Sequence, residues 1–243
     1  DTQGIEMYIE DNRFVTANGT TLGADNGIGV ATIMAILESK DIPHPAIEAF
    51  FTIDEETGMT GALGLKAGFL SGKILLNLDT EEDDELDIGC AGGVDVTATK
   101  SYSAEEVNGT AFILTLKGLN GGHSGMQIHE GLGNSNKLIA RLLNVGIEYN
   151  IHIAHMEGGS LRNAIPRESW AKIVIPTENV EAFKTAFETL KAEIIEEYQT
   201  KEPKMIITLE PTEVTNAMST LDSKVFIQTI MTAYNGVFRM SPD

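Results

Sequence analysis

Four carboxylates occupy positions where an acid needs water, a helix end or a cation. Asp25 sits in Gly23-Ala24-Asp25-Asn26-Gly27-Ile28-Gly29, at the opening of a helical pattern. Glu55 and Glu56 follow Asp54 at the end of the apolar run Ala46 to Ile53, and Asp79 ends the run Lys73 to Leu78. Each has a simpler structural explanation: Asp25 or Asn26 can cap the helix with a side-chain oxygen, and acids favour the positive end of a helix dipole. Three adjacent acids beside a buried strand still repel one another. Oxygen donors converging on one crevice, one of them bridging, suit a pair of divalent ions about 3.5–4 Å apart. Such a pair activates a shared water, and a spare carboxylate beside it can take the proton. Two neighbouring glutamates allow one to bind metal and the other to act as base. A dinucleotide site is a poorer fit, because Gly27-x-Gly29 is followed by Thr32 where the fingerprint wants glycine or alanine.

The elements that must position these acids read as two blocks. In the first, residues 1–105, Met7 to Val15 is extended with a turn at Asp11-Asn12, and Gly27 to Glu38 has helical apolar spacing. Ala46 to Ile53 and Lys73 to Leu78 read as buried parallel strands, with a short helix over Thr60 to Phe69 between them. Strand and helix alternating over short links predicts part of a parallel α/β sheet. Its carboxyl ends would form one crevice, where ligands bind in such sheets.

The second block, residues 106–243, predicts a strand over Thr110 to Lys117, a Gly-rich loop to Gly125, and a helix over Gly133 to Leu143. Strands over Ile147 to Met156 and Ser169 to Ile175 follow, then an amphipathic helix, Val180 to Tyr198, and a strand, Met205 to Leu209. That β-α-β-β-α-β order is the ferredoxin-like arrangement. A further helix over Ser223 to Asn235 begins something the chain does not finish.

Composition narrows the classes. The 243 residues carry 36 acids against 17 Lys and Arg, a formal net charge of −19. That argues against nucleic acid, whose binding depends on cationic side chains replacing counterions, and against anionic membrane surfaces. No apolar run approaches the roughly 18 residues of a membrane span. The single cysteine, Cys90, has no disulfide partner, which predicts a reducing, cytoplasmic setting. The start at Asp1 and the stop at Asp243 read as cuts through a longer protein.

With these residues in view, the chain resembles the co-catalytic zinc peptidases of the M20 family, in particular their aminoacyl-histidine (Xaa-His), PepD-like dipeptidase branch. The likeness runs through Thr20 to Gly29, Thr52 to Gly58, Asn77 to Glu81, Gly121-Gly122-His123-Ser124-Gly125 and Asn163-Ala164-Ile165-Pro166-Arg167, in order. The resemblance implies two zinc ions bridged by Asp25, with Glu56 and Asp79 as terminal ligands and Glu55 as general base. It makes the second block a lid and dimerisation domain, hence a homodimer, in which His123 steadies the oxyanion. Asn163 and Arg167 would hold the substrate's carboxylate end. The implied substrate is a dipeptide, Xaa-His in this branch; a tripeptidase, an N-acyl amino acid hydrolase and a non-catalytic interaction fragment are the alternatives. The family's zinc-binding histidines have no counterpart here. The remaining ligands are all oxygen, so this chain alone is expected to bind zinc weakly or not at all and not to hydrolyse peptides.

Overall fold

In the computed structural model, described for residues 4–56, 58–80, 84–89 and 92–239, the chain divides into Asp1–Asp95 and Val96–Asp243. Cys90 and residues 81–83 of the acidic run 81–85 lie outside the described residues. Residues 96–105, assigned to the first block by sequence pattern, fall in the second unit, where β3 (Glu105–Glu106) pairs with β10 (Asn216–Ala217).

The first unit opens with a hairpin of β1 (Met7–Glu10) and β2 (Phe14–Ala17). Asp11 and Asn12 turn it with φ of 51° and 55°, a left-handed pair that Asp and Asn tolerate better than most residues. Helix α1 (Gly27–Glu38) spans the residues its spacing predicts. Helix α2 covers only Thr60–Leu63, because Gly64 ends it, short of the expected Phe69.

The parallel sheet expected in this unit is not formed among the described residues. Ala46 to Ile53 and Lys73 to Leu78 carry no ladder, and Ile74, Leu75 and Leu76 are 83, 79 and 80 % exposed. The physical reason is the non-local character of parallel pairing: an inner strand needs a neighbour on each edge and a helix on each face. These segments have neither, so an apolar run that reads as a buried strand stays irregular.

The second unit has what the first lacks. Strands β4 (Thr110–Lys117), β6 (His152–Gly158), β8 (Ser169–Ile175) and β9 (Ile206–Pro211) form one antiparallel sheet in the order β6-β8-β4-β9. Helices α3 (Ser135–Val145) and α4 (Val180–Tyr198) are the crossovers, so chain order is β-α-β-β-α-β as the pattern predicts. Leu138, Ile139, Leu142 and Leu143 of α3, and Phe183, Phe187 and Ile194 of α4, recur at helical spacing and are buried. They pack against Leu114 and Leu116 of β4 and Ile173 and Ile175 of β8. Burying each such side chain favours folding by about 1.5–3 kcal/mol, which is why this unit closes on itself. Residues 146–149 form a 3-10 turn, delaying β6 to His152, a bulge separates Ile153 from His155, and α3, β9 and α5 each start or end a few residues from the expected bounds. The Ile153 N–H that the bulge would strand donates to Ser223 Oγ at 2.9 Å.

Two short ladders and a last helix complete the unit. β5 (Gly122–His123) pairs with β7 (Ala164–Ile165), and α5 (Thr220–Thr232) follows β10. Ser219 caps α5 by accepting from Asp222 N–H. At its other end, Lys137 Nζ donates to the carbonyls of Ile230, Met231 and Ala233 at 2.6, 2.8 and 2.6 Å. Burial pushes this ammonium below its ordinary value, yet it satisfies acceptors that a helix C-terminus leaves open.

Candidate functional site

In the first unit, Asn26 rather than Asp25 is the helix cap. Its Oδ1 accepts from Gly29 N–H at 2.8 Å while its Nδ2 donates to the Leu78 carbonyl at 2.8 Å. A side chain at Gly29 would meet the Asn26 amide within 2.6 Å, so the buried glycine keeps that amide in place. The second bond ties the start of α1 to the end of the Lys73 to Leu78 run. Asp25 is thereby left free of capping and brought against Asp79. Asp79's carboxyl is held above its ordinary value by partial burial, then by the charge of Asp25 and a hydrogen bond with it. Two carboxylates so placed repel each other, and each offers oxygen to a cation.

Glu55 and Glu56 lie in the turn before α2 and are exposed. The turn is shaped by its neighbours: Asp54, at φ 66°, accepts Met59 N–H on its carbonyl at 2.7 Å and the Thr60 hydroxyl on its carboxylate at 2.8 Å. Of the three adjacent acids, Asp54 therefore serves the turn and the two glutamates project from it. Among the described residues, no three His, Cys, Asp or Glu side chains gather closely enough to hold a metal ion. Asp25 and Asp79 meet; Glu55 and Glu56 do not join them. Catalytic zinc takes three protein ligands, so the pair supplies only part of such a site.

In the second unit, three of the predicted residues share one groove. It has a volume of about 440 Å³, and His123, Asn163 and Arg167 line it with Glu157, Glu168 and Trp170. The β5–β7 ladder sets His123 opposite Ala164, and Ser124 N–H donates to the Asn163 carbonyl at 2.8 Å. Arg167 lies alongside Gly121, whose φ of +69° and lack of a side chain let the arginine's Cγ and Cδ pass. The His123 ring is fixed from its own loop: Nδ1 accepts from Gly125 N–H and Met126 N–H, both at 3.1 Å. A nitrogen accepting two N–H groups carries no proton, so the neutral ring holds its hydrogen on Nε2, as a donor. The backbone N–H of His123 donates to Gln127 Oε1 at 2.9 Å, closing that loop.

His152 and His155 have separate partners, the Met218 carbonyl and Glu157. Sequence pattern gave no notice of Gln127 or of Glu202, a buried carboxylate that accepts from Asn120 N–H and Gly133 N–H on either side of His123. Glu202 follows a polar helix end, and nothing in its neighbours marks it as buried.

Comparison with known proteins adds the following. Residues 114–202 match the M20 peptidase dimerisation domain. The chain is 42 % identical, over 98 % of its length, to a cytosol non-specific dipeptidase of Escherichia coli, of which it covers 50 %. A crystal structure of an aminoacylhistidine dipeptidase from Vibrio alginolyticus superposes with a TM-score of 0.68 at 43 % identity, covering 99 % of this chain and 50 % of that one. A shorter stretch is 54 % identical over 48 residues to a peptidase T of Citrobacter koseri, 18 % of this chain and 12 % of the relative. The chain thus spans about half the length of the dipeptidases it matches.

Proposed function

We propose, from the premise that residues 114–202 belong to the M20 peptidase dimerisation family within a chain that runs alongside half of a dipeptidase, that this chain is part of a metal-dependent dipeptidase. The observation that carries the reading is the meeting of Asp25 with Asp79 at the start of α1, a carboxylate pair that repels itself unless a proton or cation intervenes. In a longer protein supplying further ligands, Asp25, Glu56 and Asp79 would be the residues of this chain that hold two divalent ions, zinc in this reading, with Asp25 shared between them. When bound, such ions would supply an activated water and polarise the scissile carbonyl. Glu55 takes the proton of the attacking water and returns it to the departing amine. His123, hydrogen on Nε2, donates to the oxyanion of the tetrahedral intermediate. Arg167 pairs with the substrate carboxylate through its planar fork, and Asn163 lines the same groove.

Residues 1–105 are part of a parallel-sheet catalytic domain whose strands order when the remaining sheet is present, and residues 106–243 are a ferredoxin-like lid through which two copies associate. Among the described residues no helix is long and apolar enough to cross a membrane. A cytoplasmic setting agrees with the cytosolic relative. By itself the 243-residue chain binds zinc weakly or not at all and does not hydrolyse peptides.

Substrate class is tested on the full-length protein with an Xaa-His dipeptide, other dipeptides, a tripeptide and an N-acyl amino acid. Preference for dipeptides, with histidine favoured at the second position, supports the reading. Turnover confined to the tripeptide or the N-acyl compound overturns it in favour of another M20 hydrolase.

A further inference from the structure

We propose that Glu202 is a positioning residue for His123, acting through the loop between residues 120 and 133; the inference rests on the reading of His123 as the oxyanion donor. Glu202 is 2 % exposed, and its carboxylate accepts two backbone N–H groups, Asn120 on Oε2 and Gly133 on Oε1, both at 2.7 Å. These two amides bracket His123 in the chain, so one carboxylate pins both ends of the segment that carries it. Lys201 adds two ties: its carbonyl accepts Asn120 Nδ2 at 2.6 Å, and its Nζ donates to the Glu130 carbonyl at 2.8 Å. Glu202 is itself held at the end of α4, donating its N–H to the Tyr198 carbonyl at 2.7 Å. Gly133 approaches so closely that an added Cβ would stand 3.2 Å from Glu202 Cγ.

Inside the pinned segment, His123 and Gln127 exchange two bonds, His123 N–H to Gln127 Oε1 at 2.9 Å and Gln127 N–H to the His123 carbonyl at 3.0 Å. That turn presents Gly125 and Met126 N–H to Nδ1 and so keeps the ring proton on Nε2. The chemistry needs a carboxylate at 202. An ionised carboxylate is acceptor-only and can meet two N–H donors, whereas a glutamine turns an NH2 toward one of them. Buried donors left facing a donor force the segment to move.

The test is Glu202→Gln in the 243-residue chain, read by the 15N shifts of the His123 ring and by amide exchange. The wild-type ring should show an unprotonated Nδ1 and a protonated Nε2. In Glu202→Gln those signals should move toward a mixture of tautomers. Exchange at Gly125 and Met126 should rise about tenfold or more, while β4 and β8 amides stay protected. An unchanged ring and unchanged exchange at Gly125 and Met126 overturn the proposal. If β4 and β8 also lose protection, Glu202→Asp decides, since it keeps the carboxylate but draws it back from both N–H groups: a ring shift in the same direction with β4 and β8 still protected supports the proposal and an unshifted ring overturns it. In the full-length protein, Glu202→Gln should lower kcat roughly tenfold with KM nearly unchanged. A moving ring in a full-length protein that cleaves no peptide leaves the positioning intact and refutes the peptidase reading instead.

Discussion

Replacing Gly121 with alanine separates backbone strain from loss of the Arg167 contact, and its size can be worked from the structure. Gly121 sits at φ +69°, where an L side chain costs about 1–2 kcal/mol. Its Cβ would also collide with Cγ and Cδ of Arg167 and come within 3.3 Å of the Ile165 carbonyl, so the arginine must leave its place along the groove. Gly131 provides the control: it has φ +71° and nothing within 4 Å of an added Cβ. Both variants should lose about 1–2 kcal/mol in urea denaturation and still fold, against an ordinary domain stability of about 5–15 kcal/mol. Only Gly121→Ala should weaken substrate binding. Losing a charge-assisted pair is worth about 1.5–3 kcal/mol, or roughly ten- to hundredfold in kcat/KM, carried mainly by KM. The assay is steady-state dipeptide hydrolysis by the full-length protein carrying each substitution. Equal KM values for the two variants would refute the assignment of Arg167 to the substrate carboxylate.

Two further predictions concern stability. Lys137→Met should cost about 1.5–3 kcal/mol, because one ammonium satisfies three carbonyls at the end of α5; the check is urea denaturation, and a loss under about 0.5 kcal/mol contradicts it. In the first unit, Glu48 and Asp79 should act oppositely with pH. Hydrogen bonds from the Ser71 hydroxyl and the Ser71 and Gly72 N–H groups hold Glu48 below its ordinary value. Its stabilisation is therefore present above the unfolded value and lost as pH falls through the folded one. Asp79 is raised, so its contribution is favourable in acid and is lost as pH rises through the folded value. Metal-free Asp79→Asn should then be more stable than wild type at neutral pH, and Glu48→Gln should lose part of the acid sensitivity, both read from denaturation midpoints across pH. An Asp79→Asn variant no more stable than wild type at neutral pH contradicts the account of the pair.

What sequence made legible follows how locally each feature is determined. Helices α1 and α4 and strands β4 and β8 lie where their periodicity places them, because each carries its own apolar pattern and, in the second unit, a facing element to bury it against. The runs Ala46 to Ile53 and Lys73 to Leu78 have the composition of inner strands and no partners, and composition cannot supply a hydrogen-bonding edge. The site divides in the same way. Asp25 and Asp79 come together because Asn26, next to Asp25, caps α1 and also bonds to the Leu78 carbonyl, next to Asp79. Glu55 and Glu56 depend on the strand before them, which is not formed. Glu202 was invisible for another reason: a lone acid after a polar helix end looks solvated, and only the folded loop reveals the two N–H groups it accepts.

The central claim is that Glu55 is the base of a metal-dependent dipeptidase. Metal content and dipeptide hydrolysis of the full-length protein, measured beside Glu55→Gln, test it most directly, since the substitution keeps the shape and removes the base. The account predicts two bound metals in both proteins and a loss of at least ~100-fold in rate for the variant. A Glu55→Gln protein that remains active, or a full-length protein that holds no metal, would contradict it.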